Sequence, residues 1–391
     1  MEESLYRQIF NVKDLSLNKK NETERNGFNF SIFHSENDPD TANRIRVSNK
    51  LVDVELLPSK GLSVSQAWIN GRPIFWDAPI ELTDTETLDL WSDEILINGN
   101  PAPGFTFLKT FSGGVEFYGL KNWGMPTIID GKLQSLHGET SNIPVSEVQF
   151  IVDGDVCTVK ANFIYRTFEG DDKFPWYERG EEIFRVTKNL ILIRNSLEIR
   201  IDDTIENVSN TNQIPDWGYH VTFKPVPGAK YLVPARIAKS RSGGQLPVNY
   251  NIWQPSPDPK QRIENGIIYK DFQKQDNGDF CHSLLLNPDG SGIVVKTPLS
   301  PYFQTWFCAG GAHTNEFTLR NGEPVFKRNW DGIGIEFGSS ALDHDGNTDS
   351  SLSSEAVLYQ KKTRRIDIAL TFLDSSKIVE LKDSISQMFT A

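Results

Sequence analysis

Three side chains stand where a proton could be moved. His137 lies between a leucine and a glycine in Leu136-His137-Gly138-Glu139, near the end of a stretch from Gly119 to Val145. Glycine and proline punctuate that stretch heavily, so it reads as a long irregular loop. An imidazole carried on a loop beside a glycine suits proton exchange near neutral pH. His220 sits in Asp216-Trp217-Gly218-Tyr219-His220-Val221-Thr222-Phe223, and Glu336 interrupts an apolar run, Ile333-Gly334-Ile335-Glu336-Phe337. A carboxylate there needs a partner if it is buried, and its pKa is open to being raised. Plainer readings stand beside these. A turn histidine bonded to backbone accounts for His137, and a core strand histidine beside Trp217 and Tyr219 accounts for His220.

The elements that must hold these residues are strands. Val52-Asp-Val-Glu-Leu alternates apolar and polar residues, and Asn70-Gly71 marks a tight hairpin. After Pro144 the pattern becomes regular. Val148 to Val152 and Val156 to Tyr165 flank a turn at Asp153-Gly154, and Glu182 to Val186 and Leu190 to Ile193 flank a second expected turn at Lys188-Asn189. The run from Leu197 to Ile205 alternates apolar and charged side chains. Residues 224–262 are rich in proline and read as long loops. Helical periodicity is confined to a short segment at 2–10 and an acidic one at 375–388. The expectation is an all-β protein of antiparallel hairpins with few short helices. Residues 1–45 read as an N-terminal extension and 46–391 as one β domain.

Composition narrows the function classes. Hydrophobic residues make up 38% and aromatic ones 11%, enough for a large core and for stacking on a ligand. Lys+Arg 40 against Asp+Glu 52 leaves a net charge of −12, which argues against a broad nucleic-acid or anionic-membrane footprint. Cys157, Cys281 and Cys308 form no CxxC pair, so neither a zinc site nor a disulfide framework is indicated. The opening, MEESLYRQIFNVKDLSL, has no long apolar core, and no apolar run approaches the ~20 residues of a membrane span. A cytoplasmic protein without a cofactor is the expectation. Asp343-His-Asp345-Gly-Asn347-Thr-Asp349 offers oxygen ligands at alternate positions, but it breaks the calcium-loop pattern at Gly346 and Ser354 and reads as an acidic turn.

Four landmarks in order carry a resemblance. Gly-Leu-x-Asn-x-Gly-x-Pro with Leu-His-Gly and Ser-Asn-x-Pro in 119–144, then Tyr219-His220-x-x-Phe223, Tyr302-Phe303-Gln304-Thr305-Trp306, and Gly334-Ile335-Glu336 are similar to the aldose 1-epimerase (mutarotase) superfamily. The likeness is greatest to a bacterial branch known only as a domain of unknown function. It implies the large two-sheet supersandwich of galactose mutarotase and a small-molecule sugar as ligand. It also implies His220 as acid to the ring oxygen, His137 as a second donor, Asn122 and Gln304 as sugar-hydroxyl contacts, and Trp306 as a stacking surface.

One departure qualifies that reading. The superfamily's base is a glutamate just before the last long strand, and aligning that strand on Thr363 to Asp367 puts Lys362 there. An ammonium has no lone pair to accept a proton. Glu336 or Glu355 then becomes the candidate base, and Lys362, with Lys60, points to an acidic sugar. The alternatives are a non-catalytic sugar-binding module and another glycosyl-modifying enzyme on the same fold.

Overall fold

The computed structural model describes residues 5–12, 21–34, 43–80, 83, 85, 87–167, 175–272, 280–311, 316–339, 356–376 and 378. Asp343–Asp349 and Glu355 lie outside them, as does most of 375–388. The described residues form two large antiparallel sheets, of nine and twelve strands, with 3-10 turns at Pro58–Lys60, Thr106–Lys109, Thr140–Asn142 and Trp176–Glu178. This is the all-β supersandwich that the sequence predicts.

Alternation along four neighbouring strands of the larger sheet explains both the core and the site. These are Val115–Leu120, Asp216–Phe223, Gly332–Gly338 and Tyr302–Ala309. Phe117, Tyr219, Val221, Phe223, Ile335, Phe337 and Phe303 join Val186, Leu190, Ile201, Ile205, Ile366 and Ile368 of the smaller sheet in one buried cluster. The intervening residues, Glu116, Tyr118, His220, Thr222, Glu336 and Gln304, therefore project from the opposite face. A second apolar cluster covers that face, with Trp76, Phe107, Phe111, Trp123, Leu136 and Phe326 packed over Tyr118 and Tyr302.

Several local expectations are overturned. The short helix expected at 2–10 is the strand Tyr6–Asn11, paired antiparallel with Glu147–Asp153. A helix that short is marginal alone, and an open sheet edge supplies the backbone partners it lacks. The expected N-terminal extension contributes Asn21–Arg25, Phe28–His34 and Asn43–Ser48 to the larger sheet, with Phe28, Phe30 and Ile32 at most 1% exposed.

The turn expected at Lys188-Asn189 is the middle of one twelve-residue strand, Glu182–Ile193. Lys188 is not a solvated turn residue there: its ammonium pairs with Asp203 inside the core, and Asn189 N–H donates to the other oxygen of Asp203 at 2.9 Å. Tyr219 O–H also donates to Asp203. The stretch read as loops at 224–262 includes the strands Lys230–Leu232 and Ala235–Ser240.

Candidate active site

The site grows from one row of side chains across adjacent strands. Glu116 stands opposite His220, His220 opposite Glu336, and Glu336 opposite Gln304. His220 Nε2 lies 3.3 Å from Glu336 Oε1, and both side chains are less than a tenth exposed. Gln304 Nε2 donates to Glu336 Oε2 at 2.7 Å and accepts the Tyr302 hydroxyl at its own Oε1. Thr222 Oγ1 holds His220 Nδ1 at 2.9 Å. Glu336 thus has one oxygen fixed by an amide and the other turned to the imidazole. The 3.3 Å separation is long for a charge-assisted bond, so a ligand oxygen can compete for the same proton.

His137 reaches the row from the capping layer. Its backbone is left-handed at φ 58, and so is Gly138 at φ 71. A Cβ on Gly138 would come within 2.3 Å of the Asn122 carbonyl, so glycine is required next to the histidine. His137 N–H donates to Gly124 O at 2.9 Å and Gly119 N–H donates to His137 O at 3.0 Å, which ties this loop to the sheet.

The ring stacks on Tyr118 at 4.6 Å, and its centroid is 6.2 Å from that of His220. Its Nδ1 lies 2.8 Å from Trp123 O. A carbonyl only accepts, so Nδ1 carries the proton, and Nε2 of the neutral ring is an acceptor. The ring donates through Nε2 only when protonated, which refines the expected donor role.

His137, His220, Glu336 and Trp306 all line one cleft of about 280 Å³, with Phe107, Phe111 and Trp330 among its aromatic walls. Gly332 and Gly334 line it too, and a Cβ on Gly334 would stand 3.0 Å from the His220 ring. The missing side chain lets the His220 ring pack directly against this strand.

Other expected site residues lie elsewhere. Gln304 is fully buried and acts behind Glu336 rather than at the cleft surface. Asn122 is 1% exposed and fixes the loop, donating to Met125 O and Ser135 O at 3.1 Å each.

Lys362 does not reach the cleft. It is exposed, it accepts Asn207 N–H at 3.0 Å, and it immediately precedes Thr363–Leu373 of the other sheet. An ungapped match of the last strand could not reveal that this lysine lies a whole sheet away. Lys60 is no spare charge either. It is fully buried, bonded to Thr110 O and 3.3 Å from Glu116. Burial lowers its pKa, and Glu116 draws it back up.

Arg241, Arg262 and Glu264, none of which the sequence singled out, also line the cleft. Arg262 and Glu264 flank Ile263 at the start of the strand Ile263–Phe272, and that charged x-charged spacing was their one signal.

A family model described as a domain of unknown function, DUF4432, matches residues 40–314. The chain belongs to this family. No curated protein matches its sequence.

Solved structures supply the fold. A Klebsiella pneumoniae protein described as a candidate aldose 1-epimerase superposes with a TM-score of 0.72 at 16% identity, over 98% of this chain and 96% of that one. A galactose mutarotase-like protein from Clostridium acetobutylicum gives 0.51 at 14%, over 85% and 96%. A galactose 1-epimerase from Lactobacillus acidophilus gives 0.51 at 12%, over 88% and 98%. The DUF4432 chain therefore has the galactose mutarotase-like fold. Among its described residues, no helix is long and apolar enough to cross a membrane.

Proposed function

We propose that the chain is an aldose 1-epimerase-like isomerase, which interconverts the anomers of a free or modified sugar. The reading rests chiefly on the His220–Glu336 contact of 3.3 Å inside a cleft that His137 also lines. The cleft volume, about 280 Å³, is just below the roughly 300–1,000 Å³ typical of ligand sites and suits a ligand as small as one sugar ring.

The chemistry balances with these groups alone. With His220 protonated and Glu336 ionised, Glu336 Oε1 takes the proton of the anomeric hydroxyl. His220 Nε2–H protonates the ring oxygen. The bond from C1 to the ring oxygen breaks with its electrons on oxygen, and C1 becomes an aldehyde carbon. Rotation about C1–C2 turns the other face. His220, now neutral, takes back the proton as the hydroxyl attacks C1, and Glu336 returns its proton to the anomeric oxygen. Gln304 restricts the exchange to Oε1, and neutral His137 accepts a hydrogen bond from a sugar hydroxyl.

NMR exchange between anomers over a panel of hexoses and their acidic derivatives tests this. His220→Ala and Glu336→Gln should each lower the rate about 10²-fold or more, and His137→Ala should weaken both binding and rate. Full activity in both His220→Ala and Glu336→Gln would remove the assignment.

A further inference from the structure

The charges in the cleft fall into pairs with one left over. Glu336 faces His220. Arg262 is held by Glu264 at 2.8 Å and Glu316 at 2.9 Å. Arg241 makes no ion pair among the described residues; its guanidinium lies over the Trp306 ring, 4.6 Å from the centroid. A guanidinium resting on an indole keeps its N–H edge for in-plane bonds, the geometry that matches two anionic oxygens.

This stack is built into the fold. Arg241 follows the strand Ala235–Ser240, and its N–H donates to Gly266 O at 2.9 Å. Gly266 is the register partner of Trp306. A Cβ on Gly266 would come within 2.8 Å of the Trp306 ring and 3.2 Å of Arg241 Cβ, so the arginine and the indole can meet only over a glycine. Trp306 in turn stands opposite Gly334, the glycine against which the His220 ring packs. It is two residues, roughly 7 Å, along the strand from the Gln304 that holds Glu336. The guanidinium and the proton-transfer pair thus line one cleft, with Trp306 and Gly334 between their strands.

We infer that the cleft takes a sugar bearing an anionic substituent (a carboxylate, phosphate ester or sulfonate) at the end of the ring away from the anomeric carbon, with Arg241 as the ligand of that group. The inference rests on the proposed function, because it takes His220 and Glu336 to mark the anomeric end. It moves the charge that selects an acidic sugar from Lys362, on the other sheet, to Arg241 in the cleft. A protein of net charge −12 repels anions at long range, so such selectivity has to come from a local contact.

Calorimetry and NMR anomer exchange on the full chain test it with D-glucose, D-glucuronate, D-glucose 6-phosphate, D-galactose and D-galacturonate. At least one anionic sugar should bind about tenfold or more tighter than its neutral parent. The uronate and phosphate arms separate a carboxylate from a phosphate ester. The margin should narrow with added NaCl, collapse in Arg241→Met and survive in part in Arg241→Lys, with thermal melts confirming that both variants fold. Equal affinities within each pair, or a preference that persists in Arg241→Met, overturn the inference; if neutral sugars still exchange anomers, the proposed function stands without it. Failure of all five sugars to bind or exchange removes both.

Discussion

Replacing Glu139 by glutamine should change how the protein responds to pH. Glu139 is fully buried two residues after His137, and its Oε1 accepts Ser135 N–H at 3.1 Å and Ser135 Oγ–H at 3.3 Å. Burial pushes its pKa up from 4.5 to about 7, and the bonds from Ser135 hold the rise back. The folded state thus binds this proton more tightly than the unfolded chain does. The associated stability is fully present below the unfolded pKa and is lost as pH rises through about 7.

A rise from 4.5 to about 7 is 2.5 pH units, worth about 3 kcal/mol at 1.36 kcal/mol per unit. Glu139→Gln keeps the neutral shape and removes the titration. The variant's melting temperature minus the wild type's should therefore climb between pH 5 and pH 8, by several degrees in total. Taking the difference cancels the distant carboxylates common to both proteins. Circular-dichroism melts at half-unit steps measure it. Parallel melting profiles, offset by a constant, would refute the burial argument.

Lys60→Met should destabilise the fold by about 3–5 kcal/mol, because it leaves Glu116 buried without its cation; adding Glu116→Gln should recover most of that loss, and denaturant titration of the single and double variants checks it. Lys362→Glu should leave stability within about 0.5 kcal/mol and sugar affinity unchanged, since the residue is exposed on the other sheet; calorimetry and melts on that variant would expose any role at the cleft.

The fold was legible where one residue pattern dominated. Asn70-Gly71 is a left-handed pair at φ 49 and 74, closing Ser63–Ile69 onto Arg72–Pro73, as its type requires. The same signal stood at Asn26-Gly27, with φ 50 and 80 between Asn21–Arg25 and Phe28–His34, and went unread inside the segment read as an N-terminal extension. Lys188-Asn189 misled in the opposite direction, because a sequence does not show that a lysine has an aspartate waiting in the core.

The site was partly legible. Glu336 stood out as a polar residue in an apolar strand and His220 through the resemblance, while Gly218, Gly334 and Gly338 beside them, where Trp123 and the His220 ring pack, are glycines that pattern reading takes for breaks. The approach of His137 to His220 depends on a loop folded back over the sheet. Arg241 lies just past a strand in a proline-rich stretch read as loops, where neither alternation nor spacing marks a residue.

The larger sheet separates two apolar clusters, the inter-sheet core beneath it and the cap above it. Two such layers need not melt together: the smaller can open locally while the sandwich stays folded. His220 and Glu336 sit on the sheet itself and His137 on the loop that caps it. The three side chains then meet only in molecules whose cap is closed, and on the proposed function a sugar held by both layers raises the closed fraction by as much as it prefers the closed state over the open one.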